Sequence, residues 1–171
     1  MYHGQGIVFR TIDFTSSGRD ARRVELFAKT KDTVEATLKK LGIDPAKSLV
    51  KATDDQASYT LMRGSASVLV TVVHRAEQNA VFLRVASPVM TPAPGSEAAL
   101  YKRLLEMNAG GLANASFGLL GDRVVAVSER PAEDLDAGEV EQIIKHLSAV
   151  ADTYDDRLVK EFGGTRAADK K

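Results

Sequence analysis

The stretch SEAALYKRLLEMNAGGLANASFGLLGDRVVAVSERPAEDLDAGEVEQIIKHLSAVADTYDD, residues 96–156, decides the fold. Ser96 is a good N-cap, and Leu100, Tyr101, Leu104, Leu105 and Met107 follow as an amphipathic helix closed by Gly110-Gly111. Two strands are expected next, near 113–119 and 123–128, turned at Gly121-Asp122 and stopped by Pro131. Ala113, Ala115, Phe117 and Leu119 are placed to face inward, alternating with Asn114, Ser116 and Gly118. Asp136 and Glu139 have the spacing of a capping box, in which each side chain satisfies a helix-start amide of the other. The helix that follows runs roughly 26 residues, or about 39 Å at 1.5 Å per residue. Val140, Ile144, Leu147, Ala151, Tyr154 and Leu158 form its stripe, widened by Ile143 and Val150, before Gly163-Gly164 ends it. So long a helix outruns a small sheet, which leaves part of the stripe for a second copy while the rest packs at home.

Upstream, the period changes to two between Leu49 and Val85. Strands are expected near 49–53, 57–63, 67–74 and 80–86, with turns at Asp54-Asp55-Gln56, Gly64-Ser65 and Ala76-Glu77-Gln78. In the third, Val68, Val70 and Val72 share a face, as a central antiparallel strand requires. The short connections favour a meander. Ser87-Pro88 through Pro94-Gly95 is proline-rich and is expected to leave the ladder for a connector. Before the sheet, Asp32 and Glu35 suggest another capping box, opening a short helix through Val34, Leu38 and Leu41 to Gly42. Over residues 7–14 alternation allows a short strand broken by Ser16-Ser17-Gly18-Arg19-Asp20, or else a mobile, partner-binding arm.

The order is therefore helix, three to four strands, helix, two strands, helix. That is an α+β fold with an antiparallel sheet and helices packed on one side. It divides into an extension over 1–30 that can be flexible, a domain over 31–163, and a polar tail over 164–171 expected to be disordered.

Zero net charge gives no general attraction to nucleic acid or anionic membrane, although residues 1–51 carry ten Lys/Arg against six Asp/Glu and residues 129–161 four against ten. The absence of cysteine excludes disulfides and thiol nucleophiles. No apolar run is long enough to span a membrane and the N-terminus lacks secretory-signal features, so a cytoplasmic location is the expectation. Neither Gly110-Gly111 nor Gly118–Gly121 stands between a strand and a helix as a phosphate cradle must. His3, His74 and His146 lie in separate elements without metal-ligand spacing. Asp152, Asp155 and Asp156 cluster on the last helix, so a metal-dependent hydrolase using them with His146 is an alternative. A solvated acidic face is the simpler account. No catalytic residue, cofactor or metal site is assigned.

The segments Leu104-Leu105-Glu106-Met107-Asn108, Ala115-Ser116-Phe117-Gly118, Asp122-Arg123-Val124-Val125, Leu135-Asp136-Ala137-Gly138-Glu139 and Ala151-Asp152-Thr153-Tyr154-Asp155-Asp156 resemble the bacterial YbjN family, related in fold to type III secretion chaperones. The resemblance implies a non-enzymatic, often dimeric domain that binds other proteins; in the secretion chaperones a dimer holds an extended client segment. The expected function is thus a chaperone-like or adaptor homodimer acting on a protein partner, with a purely structural dimerisation module as a further alternative. Leu104, Met107, Phe117, Leu147, Tyr154 and Leu158 are the candidate interface residues, each of which could equally be core.

Overall fold

Strict alternation sets the centre of the sheet. In the computed structural model, which describes residues 14–169, β2 (Gln56–Arg63) and β3 (Ala66–Arg75) form a hairpin in register from Gln56↔Val73 to Arg63↔Ala66. Gly64, at φ +60°, makes its turn. β4 (Ala80–Thr91) pairs β3, with Val70 opposite Val85 and Val72 opposite Leu83. β1 (Leu49–Ala52) lies outside β2, and β6 (Arg123–Pro131) and β5 (Ser116–Leu120) lie beyond β4. The seven-stranded sheet has the order β1-β2-β3-β4-β6-β5, with β7 (Thr165–Arg166) also on β4, and every pair is antiparallel.

Cross-strand partners share a face. Tyr59, Val68, Val70, Val72, Leu83 and Val85 therefore form one apolar surface, buried beneath α1 (Phe14–Lys40) and α4 (Ala137–Phe162). The Asp136–Glu139 capping box opens α4 as expected: the Glu139 amide donates to Asp136 at 2.8 Å and the Asp136 amide to Glu139 at 3.1 Å. Val140, Ile144, Leu147, Ala151 and Leu158 are buried along it. α3 (Glu97–Gly110) packs beside β5 and buries Leu100 and Leu104. The α+β class, with helices on one side of an antiparallel sheet, is what the sequence patterns and the resemblance imply.

Several local expectations are corrected. The strand or arm over residues 7–13 lies outside the described residues, but Ser16–Asp20 is helical, and the first helix neither starts at Asp32 nor is short. Its core-facing side is partly polar in composition, which hid it. Thr30 and Thr37 are buried because their hydroxyls donate to the carbonyls of Leu26 and Thr33, four residues back, at 2.7 and 2.9 Å. Instead of capping, Glu35 accepts the Tyr59 hydroxyl at 2.7 Å. Burial, and then that hydrogen bond, keeps the phenol protonated well above its usual range.

β4 does not stop at Ser87 but continues through Pro88 to Thr91. Pro88 is tolerated because the β3 ladder ends at Ala86 and the β6 register shifts between Pro88 and Met90, so the missing N–H falls where pairing is already interrupted. β5 begins only at Ser116, since Ala113 and Asn114 hold left-handed backbones. Ala113 and Leu119 are exposed rather than inward. Gly164 and Thr165–Arg166 are not a disordered tail: Arg166 pairs with Met90 and Thr165 with Thr91, and Arg166 clamps Asp156 and Asp169 at 2.8 Å each.

The α3–β5 junction rests on one side chain. Asn108 donates to the Phe117 carbonyl at 3.0 Å and accepts the Phe117 amide at 2.8 Å, standing in for a neighbouring strand. Asn108→Ala leaves two backbone groups without partners and is expected to lower stability by about 1–3 kcal/mol, read as a lower urea midpoint. A loss below a few tenths would mean that water replaces the amide.

Candidate peptide-binding surface

Because the helices cover one face, the other face and the sheet's ends are open. On the β1–β2–β3 side, all four residues of β1 are exposed. Val50 is 57% accessible, at a register shift between Leu49 and Lys51. Met62 (64% accessible) and Leu69 are also exposed on the uncovered face. They are diagonal neighbours, since Met62 opposes Ser67 and Leu69 opposes Thr60. Among the described residues β1 is an edge strand, so a row of its backbone N–H and C=O groups has no strand partner there. A short, apolar, unpaired edge next to exposed methionine and leucine side chains can take an added strand.

At the opposite end, Leu119 and Leu120 are exposed on β5 and Leu105 on α3, which packs beside it. β5 stops pairing at Ser116↔Val127, so past that point β6 keeps β4 on one side and has no strand on the other among the described residues. A groove of about 830 Å³ opens there between β6 and α4, lined by Asn114, Ser128, Arg130, Ile143 and His146 among others. Its charged groups and His146 are already engaged. Arg130 pairs with Glu139, Lys145 with Glu141, and the His146 ring is 2.8 Å from the Leu112 carbonyl.

Of the candidates chosen from sequence, Leu104, Phe117, Leu147 and Leu158 are buried in the monomer's core. Met107 and Tyr154 are partly buried against it. Phe117 and Tyr154 meet edge to face, with centroids 5.5 Å apart. Sequence reasoning missed Leu105, Leu119, Leu120, Val50 and Met62. Leu105 carried a signal, because it falls off the Leu100, Leu104, Met107 helical stripe; the others required the sheet order.

The acidic face separates into three environments. Asp152 accepts the Ser65 hydroxyl at 2.8 Å, Asp156 pairs with Arg166, and Asp155 is buried. Burial raises the Asp155 carboxyl above its ordinary range. Among the described residues no group of three potential metal ligands converges, and no helix is long and apolar enough to cross a membrane.

Residues 28–170 match the family model TY-Chap1, described as T3SS (YopN, CesT) and YbjN peptide-binding chaperone 1. The chain belongs to this family. The TY-Chap1 match runs through β7, which the sequence patterns left outside the domain, and begins within α1 at residue 28, close to the expected domain start at 31. No curated protein matches the chain significantly. Solved structures share the TY-Chap1 fold seen here. A chain in the crystal structure of the ExsC–ExsE complex aligns with a TM-score of 0.57 at 16% identity, covering 77% of this chain and 94% of that one. For the HopA1–SchA chaperone–effector complex the values are 0.53, 15%, 77% and 94%. For the heterodimeric ExoU–SpcU complex from the type III secretion system of Pseudomonas aeruginosa they are 0.51, 14%, 75% and 96%.

Proposed function

We propose that this chain is a non-enzymatic chaperone that receives an extended segment of another protein on the β1 edge, and that it works as a homodimer. The unpaired β1 edge, with Leu49 and Val50 exposed, is the observation that carries the reading. Main-chain hydrogen bonds to β1 would supply affinity, and alternate side chains of the added strand would meet the exposed Leu49 and Val50. The HopA1–SchA structure is that of a chaperone with its effector; a protein segment is the same class of partner. A random extended-peptide library selected on the wild-type protein tests the assignment. Val50→Lys, which blunts the edge at an exposed site without disturbing the core, is expected to weaken the selected peptides by about tenfold or more. Equal binding to both proteins would remove β1 from the function.

The homodimer is assigned to the α3–β5 corner, where Leu105 and Leu120 are 69% and 72% accessible. Leucines this open at a free sheet edge favour burial against a second copy. In light scattering over a dilution series, Leu105→Glu is expected to convert a dimer to a folded monomer. A wild-type monomer at all concentrations would refute the assembly while leaving the peptide site standing.

A further inference from the structure

The uncovered face of the sheet carries an ordered pattern of charge. One row runs straight across it, Lys51–Ser58–Thr71–Arg84–Glu129, each residue the register partner of the next. Side chains in such a row share a face. By strand alternation Arg75, beyond Thr71 and Val73, and Arg123, before Val125 and Val127, lie on it too. The strands therefore bring Lys51, Arg75, Arg84 and Arg123 to this face against the single carboxylate of Glu129. Arg75 and Arg84 share that carboxylate. Lys51 donates to the Gln56 amide oxygen at 2.7 Å. Neither Lys51 nor Arg123 forms an ion pair among the described residues. The acids Asp54, Asp55, Glu77 and Asp122 stand in turns at the strand ends, and Asp55 is held by the Thr53 hydroxyl. The chain's zero net charge conceals this local excess.

Beside the charged row lies an apolar one. Leu69, Ala86 and Val127 are register partners across β3, β4 and β6, and Met62, diagonal to Leu69, is more exposed still. Lys51 and Arg84 border this strip on one side, and Arg123 borders it on the other. At Leu69, Ala86 and Val127 the strands are paired on both sides. A partner laid on them thus finds side chains and no free backbone groups. It has to satisfy its own backbone, which an α-helix does and a lone strand does not. A helix with an apolar stripe bordered by Asp and Glu complements both the strip and its cations. Nucleic acid is disfavoured. The ring that the strands bring to this face, Phe82, already lies 5.1 Å from the Arg75 guanidinium, which leaves bases no open ring to stack on.

We propose that the uncovered sheet face is the docking surface for an acidic amphipathic α-helix of a protein partner. Its apolar stripe covers Met62, Leu69, Ala86 and Val127, and its carboxylates face Lys51 and Arg84 on one side and Arg123 on the other. The proposal goes beyond the β1 reading and does not depend on it, since the helix occupies a face and the extended segment an edge.

The probes are three helix-forming peptides: a leucine stripe with Glu flanks, the same stripe with Lys flanks, and the Glu peptide scrambled so that its leucines form no stripe. Binding is followed by fluorescence polarisation on the full chain. At low salt the Glu-flanked peptide is expected to bind at least about tenfold more tightly than either of the others, and its advantage over the Lys peptide should shrink as salt is added. Met62→Asp and Arg123→Glu, both at exposed positions, should each weaken it by about threefold or more, while Val50→Lys leaves it unchanged. Equal binding of the Glu and Lys peptides, or no binding by any of the three, would overturn the proposal and leave the β1 site standing. Undiminished binding to both Met62→Asp and Arg123→Glu proteins would also overturn it. Loss of binding in Val50→Lys protein would move the helix to the β1 edge, against the proposal. Tighter binding to phosphatidylserine vesicles than to the Glu peptide would assign the face to a membrane instead. A light-scattering mass that halves on Met62→Asp would make a second copy the occupant and equally refute a partner helix.

Discussion

Leu147→Ala is expected to destabilise the protein by about 2–5 kcal/mol, the range for truncating a fully buried leucine whose surroundings collapse only in part. Leu147 is fully buried on α4, the helix that covers β3, β4 and β6. The side chain therefore contributes to the monomer's own core, and the loss should appear as a lower urea midpoint with the slope unchanged. The light-scattering mass, measured where the variant is still folded, should equal that of the wild type. If instead the fold were barely affected and the mass fell, Leu147 would belong to an interface and its burial in the monomer would be misassigned.

Gly164→Ala should detach the C-terminal strand. Gly164 has φ +100°, and a Cβ there would collide with the Thr91 carbonyl oxygen and stand 2.9 Å from the Ala93 nitrogen. Both are backbone atoms and cannot swing away. A left-handed alanine alone costs about 1–2 kcal/mol, and the clash adds to it. The cheapest relief is loss of the two β7–β4 pairs, Met90↔Arg166 and Thr91↔Thr165. Hydrogen exchange should accelerate at those amides while the β2–β3 hairpin keeps its protection. Unchanged exchange at Met90 and Thr165 would show that β7 accommodates the methyl group.

The sheet's centre was legible because period-two alternation in a two-faced strand permits only one register. The Val68, Val70, Val72 face pairs as its spacing demands. The Asp136–Glu139 box was legible because capping is local chemistry. What failed depended on context. Thr30 and Thr37 count as polar by composition, yet their hydroxyls are satisfied within the helix, so α1 buries them as if they were apolar. Pro88 reads as a strand breaker unless the neighbouring ladder is known to have ended. Asp155 was read with a solvated acidic face, although its steps from Ala151 and Leu158 place it on the buried stripe. For the candidate surface, large apolar side chains at helical spacing mostly identified core. The exposed residues lie mainly on edge strands and on the uncovered sheet face, which strand order and helix placement define and no single segment encodes.

The most direct measurement is hydrogen exchange on the protein with and without a saturating library-selected peptide. Slowed exchange at the amides of Leu49–Ala52, with α4 unchanged, is the result expected if the client adds a strand to β1. Protection confined to other elements, with β1 exchanging as in the free protein, would contradict that placement.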